Sequence, residues 1–165
     1  MTVYNVNGII FSHCNPPRSS YFFFNPIGIA FDSKGNFFYV ADEGNNTVNK
    51  FDMNYRHIER IHKLKETSSE ETSSEETNLP LTFTQLRGIA VSSKKGLIFV
   101  TEPIENRIVC FNTKGMLVKV AKEWNNRDFV NPQVVALDPD DTVLYVGDDS
   151  GQLHSIELDV FIQEN

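Results

Sequence analysis

The chain has little that cross-links, holds metal or crosses a membrane. Its 165 residues include two cysteines, Cys14 and Cys110, in no CxxC spacing. Two such residues make neither a disulfide framework nor a zinc or thiol-redox motif. Cys110 falls inside an expected strand, where a small buried hydrophobe is the simpler role. No apolar run approaches the roughly 20 residues of a membrane span; residues 9–11 and 22–24 are far shorter. No basic-then-apolar leader opens the chain. The expectation is a soluble, cytoplasmic protein with no membrane partner. Asn45-Asn46-Thr47 is a glycosylation sequon that matters only in a secreted protein, and it stands where a turn is expected.

Catalytic signatures are equally scarce. His13, His57, His62 and His154 stand at no short metal-binding spacing. His57 and His62 flank an expected outer strand and read as exposed. There is no Gly-x-Ser-x-Gly, P-loop or Cys/His pair to anchor nucleophilic or phosphoryl chemistry. Asp138-Pro139-Asp140-Asp141 and Asp148-Asp149 lack the EF-hand spacing and read as solvated turns. No catalytic residue, metal ligand or cofactor is expected. Basic charge is lacking too. The formal net charge is −7, and five glutamates (Glu66, Glu70, Glu71, Glu75 and Glu76) lie in one run; without them the rest is near −7 + 5 = −2. The remainder is close to neutral, with no electrostatic footprint for nucleic acid or anionic lipid.

What is present favours strands. Phenylalanine occurs 13 times against a single tryptophan, and Phe, Val, Ile and Tyr suit pleated, buried surfaces. The stretch PIGIAFDSKGNFFYVADEGNNTVNKFD, residues 26–52, reads as three short strands and two turns. Pro26 marks a strand entry. Strands are expected at 29–32, 37–41 and 47–51, with an outer one at 57–61. The middle strand is apolar almost throughout, which implies burial on both faces. Upstream, residues 2–12 read as a pair of strands around Asn7-Gly8.

The unit recurs. A shift of 60 positions carries residues 26–52 onto the second copy without a gap, placing Gly28 on Gly88, Ala30 on Ala90, Val40 on Val100 and Phe51 on Phe111. A third copy follows, with Ala136 matching Ala30, Tyr145-Val146 matching Tyr39-Val40 and Asp148 matching Asp42; its next turn is one residue shorter. Ala90 to Ala136 is 46 residues and Phe111 to Ile156 is 45, whereas Ala30 to Ala90 is 60. The run ETSSEETSSEET, residues 66–77, supplies 12 of the excess. It cannot contribute to a core and reads as a disordered insert. A period near 45 with four short strands is the signature of propeller blades.

Residues 26–52 resemble an NHL repeat through Pro26, Gly28, Ala30, Gly35, Val40-Ala41-Asp42 and Asn46. The second copy keeps Gly88, Ala90 and Asn106-Arg107-Ile108 but has Glu102 for the Asp. The third has Val134 in place of the Gly. The resemblance implies an all-β, propeller-like arc of about three and a half four-stranded blades within one domain. A half blade is expected at 1–14, blade one at 25–64, blade two at 85–122 and blade three at 131–162, with residues 160–162 as an outer strand. Closed propellers take typically 4–8 blades. The arc therefore reads as a fragment of a longer chain, or as one part of a ring that copies close by association.

The candidate residues follow from this frame. Asp42, Glu102 and Asp148 share one repeat position, and the simplest role is to accept hydrogen bonds from the turn that follows. Lys50, Arg87 and Arg107 are candidate binding residues on a propeller face. Ser68 and Ser73 stand three residues before a Glu, as acidophilic kinases favour. The leading functional expectation is a non-enzymatic scaffold for protein partners. The resemblance also implies two alternatives: single-stranded RNA or substrate recognition of the kind found in ubiquitin ligases, and a metal-dependent lyase or hydrolase. Near-neutral charge disfavours RNA. Residues shared by the copies read as scaffold, so binding specificity is expected in the differing loops and the insert.

Overall fold

Short apolar runs between turns bearing Gly and Asn fold as strands. The computed structural model describes residues 2–4 and 10–13 through their backbone pairing, and 23–32, 34–64 and 81–163 with their side chains. The expected insert at 66–77, Ser68, Ser73 and Cys14 lie outside the described residues. β1 (Thr2–Tyr4) and β2 (Ile10–His13) pair antiparallel. β3 (Pro26–Phe31), β4 (Phe37–Asp42), β5 (Thr47–Asp52) and β6 (His57–Ile61) form an antiparallel four-stranded sheet in that order. β7 (Lys63–Leu64) pairs with β8 (Leu81–Thr82). β9 (Ile89–Ser92), β10 (Leu97–Glu102), β11 (Arg107–Asn112) and β12 (Leu117–Ala121) build the second four-stranded sheet. A two-strand link, β13 (Glu123–Trp124) and β14 (Arg127–Asp128), leads to β15 (Pro132–Leu137), β16 (Val143–Asp148) and β17 (Leu153–Glu157). The three sheets are blades one, two and three of a partial β-propeller.

Register carries the repeat into three dimensions. Ala30 pairs with Tyr39, Ala90 with Phe99 and Ala136 with Tyr145. Ala41 pairs with Val48 and Thr101 with Ile108, while Gly147 pairs with Leu153, one residue sooner. The shorter third turn read from the sequence is therefore real. The outer strands repeat a further detail. The register shift between Lys50 and Phe51 recurs between Cys110 and Phe111, and again between Val3 and Tyr4 in the β1–β2 pair. Asn46 and Asn106, with φ of 51° and 50°, occupy the left-handed region at the same turn position, which Asn enters more readily than most residues.

The blades stack face to face and share two cores. Tyr39, Ala41 and Val48 of blade one pack with Ile98, Val100 and Phe111 of blade two. The opposite face of blade two packs Leu97, Phe99, Ile108 and Cys110 against Val135, Leu144 and Ile156 of blade three. Each Val, Leu, Ile or Phe among them contributes about 1.5–3 kcal/mol by leaving water. The middle strands β4 and β10 are buried on both faces, as their unbroken apolar sequence implies. Cys110 is fully buried, which pushes its thiol up to about 12 against a smaller opposing effect of Lys119.

One expected strand is a helix. Residues 160–162 belong to α1 (Leu158–Gln163), so blade three has three strands. A three-residue apolar run has no periodicity of its own. Leu158 and Phe161, three apart on one helical face, both bury in the core shared by blades two and three. Lys119 Nζ donates to the Phe161 carbonyl at 2.8 Å and lies 4.7 Å from its ring. Lys95 pairs with Asp159. These contacts use the helix where blades one and two have an outer strand.

Candidate functional site

The recurring carboxylates do more than their turns require. Asp42 accepts from the Asn45 side chain in its turn at 2.7 Å, and also from the Phe24 and Asn25 amides at 3.1 and 2.8 Å. Glu102 accepts from the Thr84 amide and hydroxyl and from Arg107 Nε at 2.6 Å. Asp148 accepts from the Val130 amide at 3.1 Å, from Ser150 Oγ at 2.5 Å and from His154 Nε2 at 3.0 Å. In every blade the acceptor lies 18 residues after the amide it holds. The shared position is a staple from the end of the second strand back to the segment entering the first. All three side chains are buried, each with two or more donors. Among the described residues, no three His, Cys, Asp or Glu side chains group so as to hold a metal ion.

The basic candidates occupy three separate environments. Lys50, on β5, places Nζ 4.1 Å above the Phe37 ring. Arg87 stands just before β9 and pairs with Glu43 of blade one at 3.4 Å, while its Nε is buried without a partner. Arg107 opens β11 and is held by Glu102. His57 is half-buried rather than exposed, with Nε2 3.2 Å from Asn49 Oδ1; burial and then Arg60 push its pKa down. His62 is exposed.

The inner strands β3, β9 and β15 lie side by side. They line an open groove of about 360 Å³ that includes Gly28, Ile29, Arg87, Gly88, Gln133 and Val134. A second hollow of about 400 Å³ continues along Phe31, Val91 and Leu137 to Asp141. The glycines permit this closeness. A Cβ on Gly28 would stand 2.9 Å from the Arg87 carbonyl, and one on Gly88 only 2.8 Å from the Val135 amide nitrogen. Aliphatic side chains and backbone make up most of the groove wall, which suits apolar contact more than acid–base work.

Apolar side chains are exposed at both ends of the arc, on blade three across its far face and on blade one only along the inner strand, since Phe38, Val40 and Phe51 of the same face are buried with Phe23 and Tyr55 packed on them. On blade one, Ile29 and Phe31 are 46% and 57% exposed, although their counterparts Ile89 and Val91 in blade two are 7% and 8%. On blade three, Tyr145 and Leu153 are 38% and 70% exposed, although Phe99 and Ile108 at the same repeat positions are fully buried. The sequence expectation looked to loops and missed these residues. The signal lay in the repeat, which assigns every apolar position to one of two faces but leaves open which faces are covered.

Residues 26–160 match the family model described as Lactonase, 7-bladed beta-propeller. A solved chain from Kuenenia stuttgartiensis hydrazine synthase superposes with a TM-score of 0.61 at 10% identity, over 88% of this chain. At that identity the likeness is one of fold. The chain spans 37% of the length of that structure's chain. No curated protein matches. No helix of the described residues is long and apolar enough to cross a membrane.

Proposed function

We propose, for a chain that belongs to the Lactonase, 7-bladed beta-propeller family, that it is a non-enzymatic propeller scaffold that binds protein partners. The observation that carries this reading is the exposed apolar surface at the two ends of the arc, along the inner strand of blade one and on the far face of blade three. Side chains such as Phe31 and Leu153 stand exposed at positions where the same repeat is buried elsewhere in the chain. Contiguous exposed apolar surface marks an interaction site. The NHL-type pattern at Pro26, Gly28, Ala30 and Asn46 supports the same reading by analogy with recognition propellers. The carboxylates that recur in every blade serve as staples, buried and held by donors of the fold itself. Arg87 and Arg107 form ion pairs within the fold, and Lys50 lies over the Phe37 ring.

The family description favours a second reading, a lactone hydrolase. One experiment separates the two. The full chain is incubated with a panel of lactones, with and without millimolar calcium or zinc, and ring opening is followed by proton release. The scaffold reading expects no turnover above buffer. Saturable hydrolysis in any condition overturns it.

A further inference from the structure

Blade three stops one strand short. In blades one and two the third strand pairs on its outer side with a fourth, β5 with β6 and β11 with β12. The sheet of blade three ends at β17. The chain then enters α1, which buries Leu158 and Phe161 in the core shared with blade two and adds no strand to the sheet.

The free side of β17 carries unused backbone groups. At the two ends of the β16–β17 ladder, the Asp148 amide donates to the Gln152 carbonyl and the Leu158 amide to the Thr142 carbonyl. The register between these ends runs unbroken from Gly147–Leu153 to Val143–Glu157, and bonded pairs alternate along an antiparallel ladder. His154 and Ile156 are therefore the residues of β17 bonded to β16. The amides of Leu153, Ser155 and Glu157 and the carbonyls of Leu153 and Ser155 turn outward, where no backbone partner meets them among the described residues. Such an edge is a template for another strand unless charge, proline or a bulge guards it. The outer strands β6 and β12 carry Glu59, Arg60 and Lys119. β17 has no Lys, Arg or Pro and no bulge against β16.

We infer that this edge binds an extended peptide of a protein partner, which adds antiparallel to β17 as the fourth strand of blade three. The inference rests on the scaffold reading and names the partner's chemistry. The pairing continues one that the fold already makes twice. Ile61 and Ala121, opposite Val48 and Ile108, are buried. Leu153 holds the same repeat position and is 70% exposed, so the peptide places an apolar residue opposite it. A hollow of about 480 Å³ opens at this edge, walled by residues that include Trp124, Asn125, Val143, Tyr145, Ser155 and Glu157. Because the β13–β14 link also walls it, a single strand enters more readily than the three-stranded sheet that a second copy would bring. Glu157 is exposed and forms no ion pair among the described residues. A basic residue opposite Ser155 meets it, as Lys119 stands opposite Cys110 in blade two.

The probe is a synthetic peptide with the sequence of residues 115–122, GMLVKVAK, which contains β12. It is titrated into the full chain and followed by the fluorescence of Trp124, the single tryptophan. The expected result is saturable one-to-one binding that slows amide exchange at Leu153, Ser155 and Glu157 more than at His154 and Ile156. Ser155→Pro removes an outward donor and leaves the β16 ladder intact, since proline is tolerated where a strand's N–H faces solvent. It abolishes binding while the melting temperature stays native. Glu157→Gln, at an exposed position, weakens binding by about tenfold and carries the test if the proline unfolds the strand. No saturation at millimolar peptide, unchanged exchange at the three outward amides, or undiminished affinity in the variants overturns the edge site. A chain that dimerises without peptide and protects the same amides places a second copy there and overturns the peptide assignment. None of these results bears on lactone turnover, so the failure of this inference and of the scaffold reading are told apart.

Discussion

Asp42 shows what one side chain must do in a blade. Its carboxylate ties the segment entering the blade to the end of the second strand, and it lies wholly out of water. Asp42→Ala strands two backbone amides and the Asn45 side chain, and unsatisfied donors cost about 1–3 kcal/mol each. Urea denaturation is expected to show a loss of about 3 kcal/mol. The same change at exposed Asp140 falls within about 0.5 kcal/mol. Asp148 adds a pH dependence. Burial raises its carboxyl, but hydrogen bonds from Ser150, Val130, His154 and Gln152 outweigh that and hold it well below the usual carboxylate range. A carboxylate whose folded pKa is depressed contributes stability that is present above its unfolded pKa, near 4. That contribution is lost as pH falls through the folded value. Melting temperature measured from about pH 6 to about pH 3 should fall less steeply in Asp148→Asn than in the wild type. An equal slope in the two proteins counts against the assignment.

At the scale of elements, inner-strand spacing depends on glycine where one blade's first strand meets the next. Gly88 has the backbone of residues 133–135 as its neighbour, not a side chain that can turn away. Gly88→Ala therefore pushes β9 from β15, and overpacking of this kind costs about 1–3 kcal/mol. A midpoint shift in urea of that size is expected, and a neutral result would show that the strands slide freely. Helix α1 makes the complementary point. Its sequence is too short for any period to be read, and the choice between strand and helix fell to Phe161, which fills the gap beside Phe99 and Trp124 at centroid distances of 6.1 Å.

At the scale of the molecule, blade two lies between blades one and three and shares a core with each. Its strands β9 and β10 are buried at every residue, while β3 of blade one alternates between exposed and half-buried. Stacked repeats draw stability from their neighbours, so local opening is costlier in the middle. Amide hydrogen exchange should be slower in β10 than in β3 and β17 by about tenfold or more. Equal protection across the three blades would show one cooperative unit instead.

The strands, their register and the blade repeat were legible because each depends on local pattern: alternating side chains, turn residues with special backbone angles, and one spacing written three times. Cys110 as a buried hydrophobe was legible for the same reason, since its neighbours on the strand are apolar. Other features depend on what lies across a gap from a residue, which a linear pattern does not carry. The staple from Asp42 to residues 24 and 25, the half-burial of His57 and the helix at Leu158–Gln163 are of that kind. The candidate surface combines the two. Sequence alone determined that Ile29, Phe31, Tyr145 and Leu153 belong to blade faces, because the repeat places them there. Only the tertiary structure decided that these four side chains are open while Phe38, Val40 and Phe51, on the same face as Ile29 and Phe31, are buried, because burial depends on what packs opposite each position.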